Sequence, residues 1–159
     1  MAGPALYFAV KFLHVVGAGV LFGTGLGIAF FLFRAERTEK PAAVAATLRT
    51  VVVADYLFTA SAAAAQPLTG FALARLGGYD FSRTWLWGSL ALYVLIGACW
   101  LPVVYLQIRM RDLAQGAAAD GKAELPAAYR RLSRLWFWLG WPAFTAILAI
   151  FWLMIAKPA

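Results

Sequence analysis

The chain has 159 residues, of which 64% are hydrophobic and only 13% are charged, and its formal net charge is +7. Soluble domains are about 45–50% apolar and about 25% charged, so this composition argues against a soluble enzyme, a disordered chain or a secreted disulfide scaffold. The single cysteine, Cys99, has no partner for an internal disulfide.

Four apolar runs are each long enough to cross a bilayer, which takes about 20 residues in a helix. They are Tyr7–Phe33, Val51–Ala74, Thr84–Gln107 and Leu135–Ala156. Apolar residues occupy all sides of each run without period-two alternation, which favours membrane helices over strands or one-faced soluble helices. The first run is not a signal peptide, because its basic residues follow the apolar stretch. We therefore predict an all-α membrane protein in which residues 1–159 form a single four-transmembrane-helix bundle.

The basic residues concentrate in the first and third loops between these runs. They are Arg34, Arg37, Lys40 and Arg49 in the first loop, and Arg109, Arg111, Lys122, Arg130, Arg131 and Arg134 in the third. The positive-inside rule then places both loops in the cytoplasm and both termini outside, as expected for a bacterial cytoplasmic (inner) membrane protein. The excess charge is thus a topology signal, and the expected partner is the lipid bilayer rather than nucleic acid. Within the third loop, Leu125–Arg134 predicts an amphipathic helical extension of the fourth span.

The first span carries two ionisable side chains at membrane depth, where such groups are costly and are functional by default. Lys11 and His14 lie three residues apart and share one helical face, and His14 is the only histidine in the chain. One interpretation is that His14 binds a metal or haem iron or handles a proton. The other is that His14 makes one interhelical hydrogen bond while Lys11 extends to the outer interface.

Glycines follow His14 on two faces of the first span. Gly19, Gly23 and Gly27 form a doubled G-x-x-x-G stripe, which favours close packing against another helix, either within the chain or from a second copy or a partner protein. Gly17 and Gly25 lie on a different face, nearer His14. They are candidates for leaving room for a flat ligand.

The second span carries a polar stripe on one helical face. Its members are Asp55, Thr59, Ala62, Gln66 and Gly70. Pro67 interrupts this helix and is expected to free a carbonyl that then needs a partner. Asp55 is either a structural ion pair with one of the border arginines Arg34, Arg49 and Arg109, or a protonatable site in a transport or redox path.

The third span repeats this arrangement with a stripe of polar and aromatic side chains. The stripe consists of Tyr93, Gly97, Trp100, Val104 and Gln107. Pro102 interrupts the third span, and Trp141 and Pro142 lie near the middle of the fourth. The chain has no histidine and cysteine cluster for zinc, no phosphate-binding loop and no G-x-S-x-G motif, so the sequence gives no support for a soluble-type hydrolase or nucleotide enzyme.

Several strings resemble the domain-of-unknown-function 2269 family of bacterial predicted integral membrane proteins. They are KFLHVVGAGVLFGTGLG around His14, DYLFTASAAAAQPLTG from Asp55 to Gly70, and YVLIGACWLPVVYLQIRMRDLA from Tyr93 onward. The resemblance covers nearly the whole chain and implies four membrane spans. Ala60 stands where the family pattern has a proline.

The K-x-x-H start followed by glycines is similar to the first helix of HemJ-type protoporphyrinogen oxidases and CopD-like copper-resistance membrane proteins. That similarity implies haem b held by His14 and a redox reaction on a tetrapyrrole. Lys11 would then meet a propionate, and Gly17 and Gly25 would admit the macrocycle. The walls of such a pocket would be Tyr93, Trp100 and Trp141. The chain lacks the aromatic-alanine-glycine and L-P-R strings of the oxidase group.

Three functions therefore remain open. The first is a haem- or tetrapyrrole-binding redox protein built on His14. The second is a small transporter, or an accessory subunit of one, that uses Asp55, Thr59 and Gln66 as a polar path. The third is a non-catalytic membrane module that packs through the glycine stripe. The sequence leaves open whether the protein is an enzyme.

Overall fold

The structure, a computed structural model, describes residues 3–158, and these residues form helices joined by short connections, with no strand among them. The helices are α1 (Pro4–Glu36), α2 (Pro41–Ala54), α3 (Ala60–Leu76), α4 (Thr84–Ala119) and α5 (Ala127–Ala156). A π-helical turn, Asp55–Thr59, joins α2 to α3, so Pro41–Leu76 is one continuous helix. The four resulting helices are each long and apolar enough to cross a membrane. The predicted all-α, four-span architecture is confirmed.

The helices continue beyond the apolar runs that predicted them. The second span begins at Pro41 rather than Val51, and α4 continues past Gln107 to Ala119. Of the basic residues assigned to loops, only Arg37, Lys40 and Lys122 lie in connections between helices. The assignment is wrong for the others, which lie on helices: Arg34 on α1, Arg49 on α2, Arg109 and Arg111 on α4, and Arg130, Arg131 and Arg134 on α5. The reason is that hydropathy marks the thickness of the hydrocarbon layer, whereas a helix in water continues until a local stop signal.

The stop signal of α4 is a glycine in the left-handed region. Gly121 has φ of 64°, which an L side chain rarely adopts. This turn lets the Lys122 N–H donate to the Ala117 carbonyl at 2.9 Å, as in a Schellman cap. The connection between α4 and α5 is thus reduced to residues 120–126. The predicted extension before the fourth span is helical from Ala127 and continuous with that span.

The tightest packing lies at the end of the bundle that carries connections 37–40 and 120–126, which we call the basic end. Leu32, Leu48 and Met110 are completely buried there. Nearby, Glu36 Oε1 accepts hydrogen bonds at 2.7 Å from both the Tyr129 and Ser133 hydroxyls. These two bonds join the last turn of α1 to the first turns of α5.

Packing is uneven around the bundle. The most extensive contacts join α4 to α5, followed by α2 to α4 and α3 to α1, whereas α1 and α5 contact each other sparsely. Because α1 packs on α3 while α5 packs on α4, the two pairs do not close against each other along their whole length. An internal cavity results, with all four spans contributing to its walls.

The glycine stripe of α1 is not packed against another helix of this chain. A methyl group added at Gly19 or Gly23 would meet no neighbouring atom within 4 Å, and one at Gly27 would meet only Phe31 of the same helix. The prediction of close packing is therefore wrong for contacts within the chain. Gly23 and Gly27 instead line a surface groove of about 540 Å³ between α1 and α2.

Candidate ligand-binding cavity

The internal cavity has a volume of about 400 Å³ and combines a polar wall with an aromatic one. The polar wall consists of Asp55, Thr59, Gln66 and Gln107, which come from the second and third spans. The aromatic lining residues are Phe22, Tyr93, Trp100, Trp136, Phe137, Trp141, Phe144 and Phe151. A mainly apolar cavity with a few convergent polar groups is the usual form of a small-molecule site.

Asp55 is the only charged side chain among the residues that line the cavity. Its exposed fraction is 3%, and the Trp100 Nε1–H donates a long hydrogen bond of 3.5 Å to Oδ1. Within residues 3–158 no lysine, arginine or histidine nitrogen lies within 4 Å of the carboxylate. In this part of the chain, the structure therefore shows no ion pair between Asp55 and a border arginine.

Polar atoms without a hydrogen-bond partner in the described chain gather around the same cavity. They are Asp55 Oδ2, Thr59 Oγ1, Gln107 Oε1 and Trp136 Nε1. Buried polar atoms almost always have partners, and each one left without a partner costs about 1–3 kcal/mol. Two of these four atoms can only accept, the indole N–H can only donate, and the threonine hydroxyl can do either. The cavity thus presents a defined set of donors and acceptors to a ligand.

The π-helical turn explains how Asp55 and Thr59 come to share this wall. A π-helical turn adds one residue to a helical turn, and such turns occur frequently at functional sites. Both side chains are buried, although Tyr56, Leu57 and Phe58 between them are exposed. The second span therefore directs its polar stripe inward and its large apolar side chains toward lipid.

A second interruption in the same span is stabilised by the third span. Pro67 has no N–H, so the Ala63 carbonyl, four residues earlier, has no helical donor. The Tyr93 hydroxyl donates to this carbonyl. The expectation that Pro67 frees a carbonyl which needs a partner is thus confirmed, and it assigns Tyr93 a structural bond at the cavity wall.

His14 lies outside the cavity lining, in a junction between α1 and α3. Its Nδ1 is 2.8 Å from Thr69 Oγ1, and the Gln66 Nε2–H donates to the His14 carbonyl at 2.9 Å. Thr69 Oγ1 is also 2.8 Å from the Ala65 carbonyl and 3.2 Å from the Gln66 carbonyl. The tautomer of the imidazole ring sets which group donates in the bond between His14 and Thr69.

Two glycines make this junction possible. A methyl group at Gly17 would lie 2.6 Å from Gln66 Nε2, and one at Gly70 would lie 3.2 Å from His14 Cε1. Gly17 therefore makes room for the Gln66 side chain rather than for a flat ligand, and its assignment to a ligand pocket is wrong. The interpretation of His14 as a residue that makes an interhelical hydrogen bond describes this geometry.

The residues predicted to hold haem are divided between two places. Gly25, Tyr93, Trp100 and Trp141 line the cavity, whereas Lys11, His14 and Gly17 do not. The exposed side chain of Lys11 places its Nζ 5.8 Å from the centre of the Tyr7 ring.

The lining residues do not fit a haem in the cavity, because no imidazole or thiolate is present there to bind its iron, and the Tyr93 hydroxyl is already bonded to the Ala63 carbonyl. Residues 3–158 also contain no group of three or more histidine, cysteine, aspartate or glutamate side chains that could hold a metal ion. Haem ligation by His14 stays a prediction.

Two polar residues of the cavity lining, Gln107 and Trp136, do not stand out as site residues in the sequence. Gln107 lies on the polar stripe of the third span, and that stripe is the signal that could identify it. Trp136 gives no such signal, because a tryptophan near the end of a span is also typical of an interfacial anchor. Its inward orientation follows from the packing of α5 on α4.

Comparison with known proteins gives a family match over almost the whole chain. The model of a family described as "Predicted integral membrane protein (DUF2269)" matches residues 8–158. No curated protein and no solved structure matches the chain. The matches therefore give no support for the similarity to HemJ-type and CopD-like proteins.

Proposed function

The chain belongs to the domain-of-unknown-function 2269 family of integral membrane proteins, and we propose that its cavity binds a small organic cation at Asp55 as part of transport. The observation that carries this proposal is a carboxylate with an exposed fraction of 3% and no basic partner, directed into an aromatic cavity. The charge balance of the basic loops supports a cytoplasmic basic end in a bacterial inner membrane.

The chemistry of the wall favours a cation that also donates hydrogen bonds. A buried carboxylate without a basic partner is very costly, so it takes up either a proton or a cation. Asp55 Oδ2 and Gln107 Oε1 offer two acceptors to the N–H groups of an ammonium ion. Aromatic side chains suit a cation, since aromatic rings attract positive charge by about 0.5–2 kcal/mol, and the lining includes Trp100, Trp136 and Trp141.

The irregular geometry of the second span supports transport. The π-helical turn carries Asp55 and Thr59 of the polar wall, and Pro67 directly follows Gln66. Interrupted helices at membrane depth are typical of transporter binding sites.

Binding of hexylamine to the purified protein in nanodiscs tests this proposal. Hexylamine is protonated at neutral pH and combines an ammonium head with an apolar body, and isothermal titration calorimetry measures its Kd. We expect Asp55→Asn to weaken binding by at least about thirtyfold, or about 2 kcal/mol, because the ammonium loses its counter-charge. Asp80→Asn, which changes an exposed aspartate in connection 77–83, is the matched control and should leave Kd unchanged.

Replacing the ligand provides the second arm of the test. 1-Hexanol has the same apolar body without the charge, and we expect it to bind weakly and equally to the wild type and to Asp55→Asn. Equal affinity of hexylamine for these two proteins would refute a cation site at Asp55.

The glycine stripe supports an additional proposal about assembly. A methyl group at Gly19, Gly23 or Gly27 would meet no atom of another helix within 4 Å, so this surface of α1 leaves room for a helix from a second copy. We propose a homo-oligomer through this stripe.

A further inference from the structure

The side chains around the cavity are not equally exposed. Among the lining residues, the exposed ones are Gly25, Leu26, Ala29, Phe137 and Trp141. All five come from α1 or α5, whereas the lining residues from the second and third spans are buried or half-buried. The cavity therefore opens between α1 and α5. We call these five residues the mouth.

The two helices touch on either side of the mouth. Toward the chain termini, the Phe22 ring stacks on Phe144, with 5.4 Å between ring centres. Toward the basic end, Glu36 accepts hydrogen bonds from Tyr129 and Ser133. Contacts between α1 and α5 are otherwise sparse, so the mouth is a gap bounded at both ends.

The mouth lies at the depth of the hydrocarbon layer. Between Phe22 and Phe33 on α1, and between Leu135 and Phe144 on α5, no side chain is charged. A ligand that passes through this gap consequently comes from lipid rather than from water. The polar wall, with Asp55 and Gln107, lies on the second and third spans, away from the mouth.

We propose that the mouth is a lateral entrance through which a lipophilic amine moves from the bilayer to Asp55. This inference rests on the proposed cation site and specifies its substrate class as amphipathic amines that partition into lipid. The ammonium head would reach the polar wall while the apolar tail remained in the mouth. Gly25 and Gly140 leave room for such a tail, since a methyl group at either would meet no atom within 4 Å.

The rate of ligand association tests the entrance separately from the cation site. Stopped-flow measurement of tryptophan fluorescence follows octylamine binding to nanodiscs that each contain one chain. We expect Ala29→Phe to slow association and dissociation by about tenfold while Kd changes little, since the new ring obstructs a path without removing a binding group. Ala9→Phe is the matched control, because Ala9 is an exposed alanine on the same helix that does not line the cavity.

Ligand length provides an independent readout. Methylamine has the same head but hardly enters lipid, so we expect its binding to be much weaker than that of octylamine.

One result would overturn the entrance. It is octylamine association that Ala29→Phe leaves unchanged although Asp55→Asn abolishes binding, in which case the cation site stands and the path is different. If octylamine binds equally well to the wild type and to Asp55→Asn, the proposed function itself is refuted.

Discussion

Gln66 Nε2 donates to the His14 carbonyl at 2.9 Å, and this bond exists because residue 17 is a glycine. A methyl group at that position would lie 2.6 Å from the donor nitrogen, so the Gln66 side chain would have to move away. The bond joins the first span to the polar wall of the cavity, because Gln66 also lines that wall. It therefore couples the position of α1 to the cavity.

Gly17→Ala should destabilise the protein even though alanine is the better helix former by about 1 kcal/mol. Displacing Gln66 breaks a buried hydrogen bond and leaves polar groups unpaired, at a cost of about 1–3 kcal/mol. Thermal unfolding in detergent measures the effect.

A double-mutant cycle separates this cause from others. In a Gln66→Ala background there is no side chain to displace, so Gly17→Ala should be neutral or stabilising. Gly19→Ala is the control on the same helix, where a methyl group meets no atom within 4 Å. Equal destabilisation by Gly17→Ala with and without Gln66 would contradict this explanation.

Tyr93→Phe should destabilise the bundle because it removes the donor to the Ala63 carbonyl, which Pro67 has deprived of its helical partner. We expect a loss of about 1–3 kcal/mol for the unpaired carbonyl in a water-poor environment. In a Pro67→Ala background the helical N–H is restored, so the same substitution should cost much less. If Tyr93→Phe lowers the free energy of unfolding equally in both backgrounds, the bond to the Ala63 carbonyl is not the reason for the loss.

Absorption spectroscopy decides the haem prediction. If His14 binds haem iron, protein purified after expression with ample haem has a Soret band that His14→Ala removes and Asp55→Asn preserves. If Asp55 is instead a cation site, the protein binds hexylamine and has no such band. A Soret band that depends on His14 would replace the cation site as the leading function, because haem would then occupy the junction between α1 and α3.

Gly23→Leu should weaken association between copies if the stripe on α1 is an interface. A leucine fills the space that close helix approach requires, and small residues are the usual basis of such approach in membranes. Analytical ultracentrifugation in detergent measures the oligomeric state, with Gly116→Leu on α4 as a control outside the stripe. A strictly monomeric wild type would refute this interface.

Much of the architecture could be predicted from the sequence because membrane crossing imposes a simple physical requirement. Backbone groups in lipid must be paired within the helix, so a long apolar run without alternation has few structural solutions. The inward face of the second span was also readable, because Asp55, Thr59 and Gln66 recur at helical spacing and polar groups avoid lipid. All three line the cavity.

Partners across the bundle were decided only by the tertiary structure. The spacing of residues along one helix shows which of them share a face, but not which neighbouring helix that face contacts. From the sequence alone, His14 and Trp100 are therefore equally suited to one pocket. In the structure α3 packs on α1 and draws His14 to Thr69, while Trp100 meets Asp55 at the cavity. Gly17 and Gly23 likewise look alike in sequence, yet only Gly17 faces a side chain.

Composition and hydropathy thus determined that this is a four-span helical membrane protein, because transfer into lipid depends on residue type and run length alone. The cavity, its mouth and the carboxylate without a basic partner depend on which helices pack together and which remain apart. That choice follows from side-chain fit between distant segments, and no local pattern in the chain contains it.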